Sequence, residues 1–138
     1  MSEKIIVNVS WCGKNFSASF SENVPGAVVF TANNFRELQK EAKESLDFHL
    51  EGMQEDGEEV PEWWLSNDYE FLYQYTDVAS LLKAYSDLLP LVSLSHATGI
   101  NQHLLSHYAN GLKKPRPQQR KRIVEGMHKI GKELLSVV

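Results

Sequence analysis

The hydrophobic period of this chain changes at Asp77, and that change restricts the folds open to it. Before Asp77, alternating stretches flank one helical stretch that begins at Asn34, and after Asp77 the apolar residues recur every three or four positions to the end. Ile5, Val7, Val9 and Trp11 share one side of a period-two pattern, with Lys4, Ile6, Asn8 and Ser10 on the other. After Gly13-Lys14 the alternation resumes as Phe16, Ala18 and Phe20, which predicts a β-hairpin closed by a tight glycine turn. Pro25-Gly26 breaks the chain, and residues 27–31 supply a third strand. Asn34 caps a helix, with Glu37 in the position of a capping box. Phe35, Leu38, Ala42, Leu46, Leu50 and Met53 form its buried stripe, opposite the i,i+4 pairs Lys40–Glu44 and Lys43–Asp47. Residues 57–67 read as an acidic loop, and Tyr69, Phe71, Tyr73 and Tyr75 alternate as a fourth strand. The order β-β-β-α-β predicts an antiparallel-rich sheet with one helix packed on it, so the fold class is α+β.

Residues 77–138 read as a separate, all-helical domain. Asp77 caps a helix carrying Val78, Leu81, Leu82, Tyr85, Leu88 and Leu89, and Pro90 ends it or starts the next. Further helices follow over residues 91–98 and 101–110. After Gly111 and the segment Lys113-Lys114-Pro115-Arg116-Pro117 comes a last one, with Ile123, Met127, Ile130 and Leu134 on its apolar face and Pro117 in its first turn. The expected boundaries are therefore 1–76 and 77–138.

Charge divides along nearly the same line. The net charge is −4, yet residues 113–138 carry eight Lys/Arg and two Glu, a balance of +6. Residues 1–112 carry six basic and sixteen acidic residues, a balance of −10, and no Lys or Arg lies between Glu44 and Leu82. A basic tail on an acidic body predicts two partners of opposite charge.

The centre of the helical domain is Ser93-Leu94-Ser95-His96-Ala97-Thr98-Gly99-Ile100-Asn101-Gln102. Gly99 suits a turn that needs positive φ, and Asn101 suits a helix cap. Such a turn fixes the angle between two helices, as in a helix-turn-helix unit whose second helix enters a DNA major groove. In that second helix Ile100, Leu104, Leu105 and Tyr108 are candidates for the core, while Gln102, His103, Ser106, His107 and Asn110 fall largely on the other side. Gln and Asn can bond adenine edges in bidentate fashion, and Ser and His can bond bases or phosphates. Lys113, Lys114 and Arg116 follow, placed to meet backbone phosphate, which adds affinity but little specificity. Arg120, Lys121 and Arg122 extend the basic surface.

Other chemistries find less support. Cys12 is the only cysteine, which excludes an internal disulfide and a cysteine-rich zinc site. His103 and His107 have a spacing that can bind metal, but no Cys or carboxylate completes a site, so no metal or cofactor is expected. His49 and His128 read as helix-flank residues. With no phosphate loop and no nucleophile elbow, the chain is not expected to be an enzyme. No apolar run is long enough to cross a bilayer, and Met1-Ser2-Glu3-Lys4 lacks a signal-peptide pattern, so a cytoplasmic protein without membrane contact is expected. Trp63-Trp64 stands beside the acids Glu58 and Glu59. In an extended segment the two rings point to opposite sides, one to the core and one outward to a basic protein partner.

Taken over nearly its full length, the chain resembles the HicB antitoxin family. In the N-terminal half the resemblance rests on the strand pair, Val24-Pro25-Gly26, a short strand, and the helix beginning Asn34-Phe35-Arg36-Glu37-Leu38. In the C-terminal half, Thr98-Gly99-Ile100-Asn101-Gln102, Tyr108-Ala109-Asn110-Gly111 and Gly131-Lys132-Glu133-Leu134-Leu135 look like the Xre/Cro-type helix-turn-helix carried by some members. Leu91 stands where many Xre-type domains place a glutamine, and Asn23 is nearest where the family often has an acid before Pro-Gly. The resemblance implies a partial RNase H-like N-terminal domain without nuclease activity. It also implies binding to a small basic RNA-cleaving toxin, HicA-like, and repression of the chain's own operon by binding operator DNA as a homodimer or larger homo-oligomer. The alternative is a free-standing transcriptional regulator with a ligand-sensing N-terminal domain.

Overall fold

The computed structural model describes residues 2–138. They form an α+β structure, a four-stranded mixed sheet with six helices, divided into two compact units, residues 1–76 and 77–138.

In the first unit the strands β1 (Glu3–Trp11), β2 (Phe16–Phe20), β3 (Val29–Ala32) and β4 (Tyr69–Tyr75) lie in the order β3-β2-β1-β4. The first three pair antiparallel, and β4 joins the far side of β1 in parallel, Ile5 opposite Phe71 and Val9 opposite Tyr75. β3 and β4 therefore run the same way, and the helix α1 (Phe35–Glu55) is the crossover that a parallel connection requires. The period-two pattern sets which face is covered. Ile5, Val7 and Val9 on the central strand are fully buried, beside Phe16, Ala18, Phe30 and Tyr75. Ser10, Ser17, Ser19 and Asn8 take the opposite face. The β1–β2 connection is longer than the two-residue turn that Gly-Lys predicts. Trp11 and Phe16 are the last pair, Gly13 takes φ +92°, and the Cys12 amide donates to the Asn15 carbonyl at 2.9 Å.

α1 begins where Asn34 accepts from the Glu37 amide at 2.8 Å, and the Glu37 carboxylate reaches back to the Asn33 amide rather than to that of Asn34. Its buried line is Leu38, Ala42, Leu46 and Leu50, with Phe35 edge-on to Tyr73 at 5.1 Å. The stretch expected as a loop contains one helical turn, α2 (Glu62–Leu65), so the two indoles are not splayed by an extended backbone. Both are half-buried against the cluster of Ile5, Val24, Leu46 and Leu50.

The second unit holds α3 (Val78–Ala84), α4 (Leu91–Thr98), α5 (Gln102–Ala109) and α6 (Pro117–Leu135). Asp77 caps α3 by accepting from the Ser80 amide at 2.8 Å. α3 stops at Ala84, before Leu88 and Leu89. Both of those amides bond back to the Tyr85 carbonyl in tight turns, leaving Leu88 75% exposed. Leu94, Ile100, Leu105, Tyr108 and Ile123 form the buried interior. On α6 the expected apolar face holds at Ile123 and weakens toward the end, where Leu134 is 66% exposed. The cause is length: α6 runs about 28 Å against about 12 Å for α4 or α5, and its last turns pass beyond them.

Candidate nucleic-acid interface

The candidate interface is built on the short connection between α4 and α5. α4 ends at Gly99, whose φ of +74° is a left-handed conformation that a side chain would strain. Its amide bonds the Ser95 carbonyl at 2.8 Å. Thr98 Oγ1 donates to the Leu94 carbonyl at 2.8 Å and accepts from the Ile100 amide at 3.1 Å, so one hydroxyl ties both sides of the turn. Ser95 Oγ donates to the Ile100 carbonyl at 2.6 Å. Ile100 then enters the core at 3% exposure, which fixes how far the chain swings before α5 starts. Asn101 caps α5 by accepting from the His103 amide at 2.8 Å.

Two contacts from α6 hold this turn in place. Arg122 donates to the Thr98 carbonyl at 2.8 Å and to Gln119 Oε1 at 2.8 Å. A cation at a helix C-terminus also meets the negative end of the helix dipole. Arg122 is therefore tied to the end of α4, a role that differs from the free basic surface expected of it. The second contact is Gly126, which lies against the Thr98 methyl group. Arg122 sits on the flank of α6, off its apolar stripe, and Gly126 keeps the stripe's spacing between Ile123 and Ile130 but has no apolar side chain to mark it.

α5 separates its two faces cleanly. Leu105 and Tyr108 are buried and Leu104 is half-buried, while Gln102, His103 and Asn110 are exposed and Ser106 and His107 half-buried. The His103 and His107 rings stand 4.6 Å apart. Asn110 Nδ2 reaches Ser106 Oγ at 3.5 Å, a contact too long to hold either side chain firmly. After Gly111, with φ +74°, the Leu112 amide returns to the His107 carbonyl at 2.9 Å and turns the chain away from the helix axis. Lys113, Lys114 and Arg116 follow, all exposed. Lys121 lies 3.9 Å from Glu125 in a solvent-exposed pair of little energetic weight.

Among the described residues no group of three or more His, Cys, Asp or Glu is arranged to hold a metal ion, and no helix is long and apolar enough to cross a membrane. In the acidic unit, the Trp64 indole donates to Asp47 Oδ1 at 2.9 Å and Trp63 lies edge-on to Tyr69 at 5.3 Å. Neither ring stands clear of the fold, whereas Glu58 and Glu59 are exposed. Beside them, Lys43 donates to the Tyr69 hydroxyl at 2.9 Å and pairs with Asp47 at 3.0 Å. These hold its ammonium above the usual lysine range, the Tyr69 bond chiefly, against a smaller opposing effect of burial.

Compared with known proteins, the chain matches no protein-family model, no curated protein and no solved structure. Its function is therefore argued from these residues. The first unit carries five basic and fourteen acidic residues, net −9, and the second nine basic and four acidic, net +5. One chain thus joins a polyanionic unit to a cationic one that exposes a polar helix face.

Proposed function

We propose that the chain is an antitoxin and autorepressor, with residues 77–138 a helix-turn-helix DNA-binding domain and residues 1–76 a partial RNase H-like domain that neutralises a small basic RNA-cleaving toxin. The observation that carries the DNA half is α5. A short helix follows a glycine-set turn, buries Leu105 and Tyr108, and leaves Gln102, His103, Ser106 and Asn110 with no role in the core. Gln102 and Asn110 have the chemistry to read adenine edges, and Ser106, His103 and His107 to bond bases or phosphates. Lys113, Lys114 and Arg116 neutralise backbone phosphate beside it. As a homodimer, two copies of α5 would meet half-sites about 34–36 Å apart on a palindromic operator.

The other half draws on sheet topology and charge. Three antiparallel strands, a crossover helix and a fourth strand parallel to the first support the RNase H-like reading. A net charge of −9 suits a cationic toxin.

Binding to the DNA upstream of the chain's own gene, measured over a salt series, tests the reading. Affinity should fall steeply as salt rises, by counterion release. Gln102→Ala should relax sequence preference, and Lys113→Ala should weaken all sequences alike while lowering the salt slope by about one. Absence of binding at every salt concentration sinks the repressor half. The toxin half is tested by purifying the product of a short basic reading frame next to the gene and titrating it with the full chain.

A further inference from the structure

We infer that the outward stripe of α1, centred on Phe48, is the surface on which the acidic unit docks its basic protein partner. Phe48 is 82% exposed in the middle of a helix of 21 residues, and it lies opposite the buried line of Leu46 and Leu50. Going along the helix at alternating steps of four and three, the same stripe reads Glu37, Glu41, Glu44, Phe48, Glu51, Glu55. Glu37 serves the start of the helix through its bond to the Asn33 amide, but the carboxylates beyond it repel one another and weaken the helix, so helix stability does not explain them. Nor does the fold explain the ring, which sits apart from the aromatic packing around Trp63, Tyr69 and Phe71. Gly52, one turn beyond Phe48, has open space where a side chain would be, although glycine is unfavourable inside a helix. The flank of the ring is thereby left clear for another molecule.

The charge around Phe48 selects the occupant. Lys43 is turned to Tyr69 and Asp47, Lys40 only grazes Glu44 at 4.0 Å, and no further Lys or Arg occurs before Lys83. A nucleic acid or an anionic membrane is repelled from such a surface. A protein with an apolar socket rimmed by Lys and Arg complements it, with the ring filling the socket and the glutamates steering the approach. The inference rests on the antitoxin reading for the existence of that partner and adds where the partner sits.

The test titrates the full chain, as wild type, Phe48→Ala and Glu51→Lys/Glu55→Lys, with the purified product of a short basic reading frame found beside the gene; absence of such a frame overturns both the docking surface and the antitoxin reading. A lysine-rich control protein of similar charge is run in parallel. Phe48→Ala should bind the partner about thirty-fold more weakly, with melting behaviour unchanged because the ring is exposed. The double substitution should slow association and flatten its salt dependence. The control protein, held only by charge, should not distinguish Phe48→Ala from wild type. Equal partner binding by all three chains overturns the docking surface and leaves the antitoxin reading standing. If wild type itself fails to bind, both fall. If Phe48→Ala alters self-association and leaves partner binding intact, the surface belongs to a second copy and the inference is overturned.

Discussion

Gly126 offers the sharpest check on how the helical unit is held together. A Cβ at this position would stand 2.4 Å from the Thr98 methyl carbon, 3.6 Å from Thr98 Cβ and 3.7 Å from the Ala97 carbonyl carbon. Only the first is a clash, because carbon atoms pack at roughly 3.5–4.0 Å. Gly126→Ala therefore forces one of two responses. Either α6 moves away from α4, an overpacking cost of about 1–3 kcal/mol, or Thr98 rotates its methyl away. Rotation carries Oγ1 off the Leu94 carbonyl and the Ile100 amide, and each lost bond costs about 0.5–1.5 kcal/mol. Against this stands the helix-propensity gain of Gly→Ala, about 1 kcal/mol. The balance is a loss of up to about 2 kcal/mol, or up to roughly 16 °C in melting temperature for a small unit. The assay separates the two units, because Trp11, Trp63 and Trp64 all lie in residues 1–76. Far-UV circular dichroism should show an early transition that tryptophan fluorescence does not. Thr98→Ser removes the methyl group and keeps the hydroxyl, so in that background Gly126→Ala should be neutral or stabilising by up to about 1 kcal/mol. A Gly126→Ala protein that melts above wild type with Thr98 intact, by as much as it does in the Thr98→Ser background, refutes the packing argument.

Three further outcomes follow from the first unit. Gly26→Ala puts a side chain at φ +82° and within 2.9 Å of His49 Nε2, which donates to the Pro25 carbonyl; a loss of about 1–3 kcal/mol should appear in the urea transition followed by tryptophan fluorescence. Trp64→Phe removes the indole donor to Asp47 while keeping an aromatic ring, and should lower the urea midpoint by the equivalent of about 1–2 kcal/mol with an unchanged slope. Lys43→Met should cost less than about 1 kcal/mol, since the lysine is half exposed. Its folded-state pKa lies above the ordinary 10.5, so this contribution is complete below pH 10.5 and is lost as pH rises through the folded value. The gap between wild type and variant in a pH series of denaturation curves should therefore close only in strong alkali, and a gap that closes near neutral pH would contradict the assignment.

The parts of the fold legible in the sequence are those set by local periodicity and by single-residue caps. Ile5, Val7 and Val9 announced a half-buried strand, and Asn34, Asp77 and Asn101 each cap the helix that follows them. Pairing partners are not local. Nothing in Tyr69–Tyr75 says that it lies parallel to β1, because alternation is the same in either sense. α2 is hidden for a related reason: four residues are too few to display a helical period, and without one the two tryptophans fall on the extended geometry of a loop. At the candidate interface, the positive φ of Gly99 was legible from the residue itself. The Arg122 and Gly126 contacts were not, because each depends on how α6 meets the end of α4. Phe48 is an apolar residue off the helical stripe, and its 82% exposure marks it as unused by the fold.

The division of labour within α5 makes its function separable from its stability. Leu105, Tyr108 and the preceding Ile100 supply the packing, the Asn101 cap supplies the start, and Gly111 supplies the exit. Gln102 takes part in none of these, so Gln102→Ala should leave stability within about 0.5 kcal/mol of wild type. If the residue reads a base, the same substitution should remove about 1–3 kcal/mol of discrimination between cognate and mismatched DNA. A merely solvated glutamine predicts no change in either quantity. Leu105→Ala predicts the reverse order, with about 2–5 kcal/mol lost from stability and DNA binding lost only through unfolding. Comparing the two substitutions by melting and by competition between DNA sequences thus distinguishes a reading helix from a helix that only fills the core.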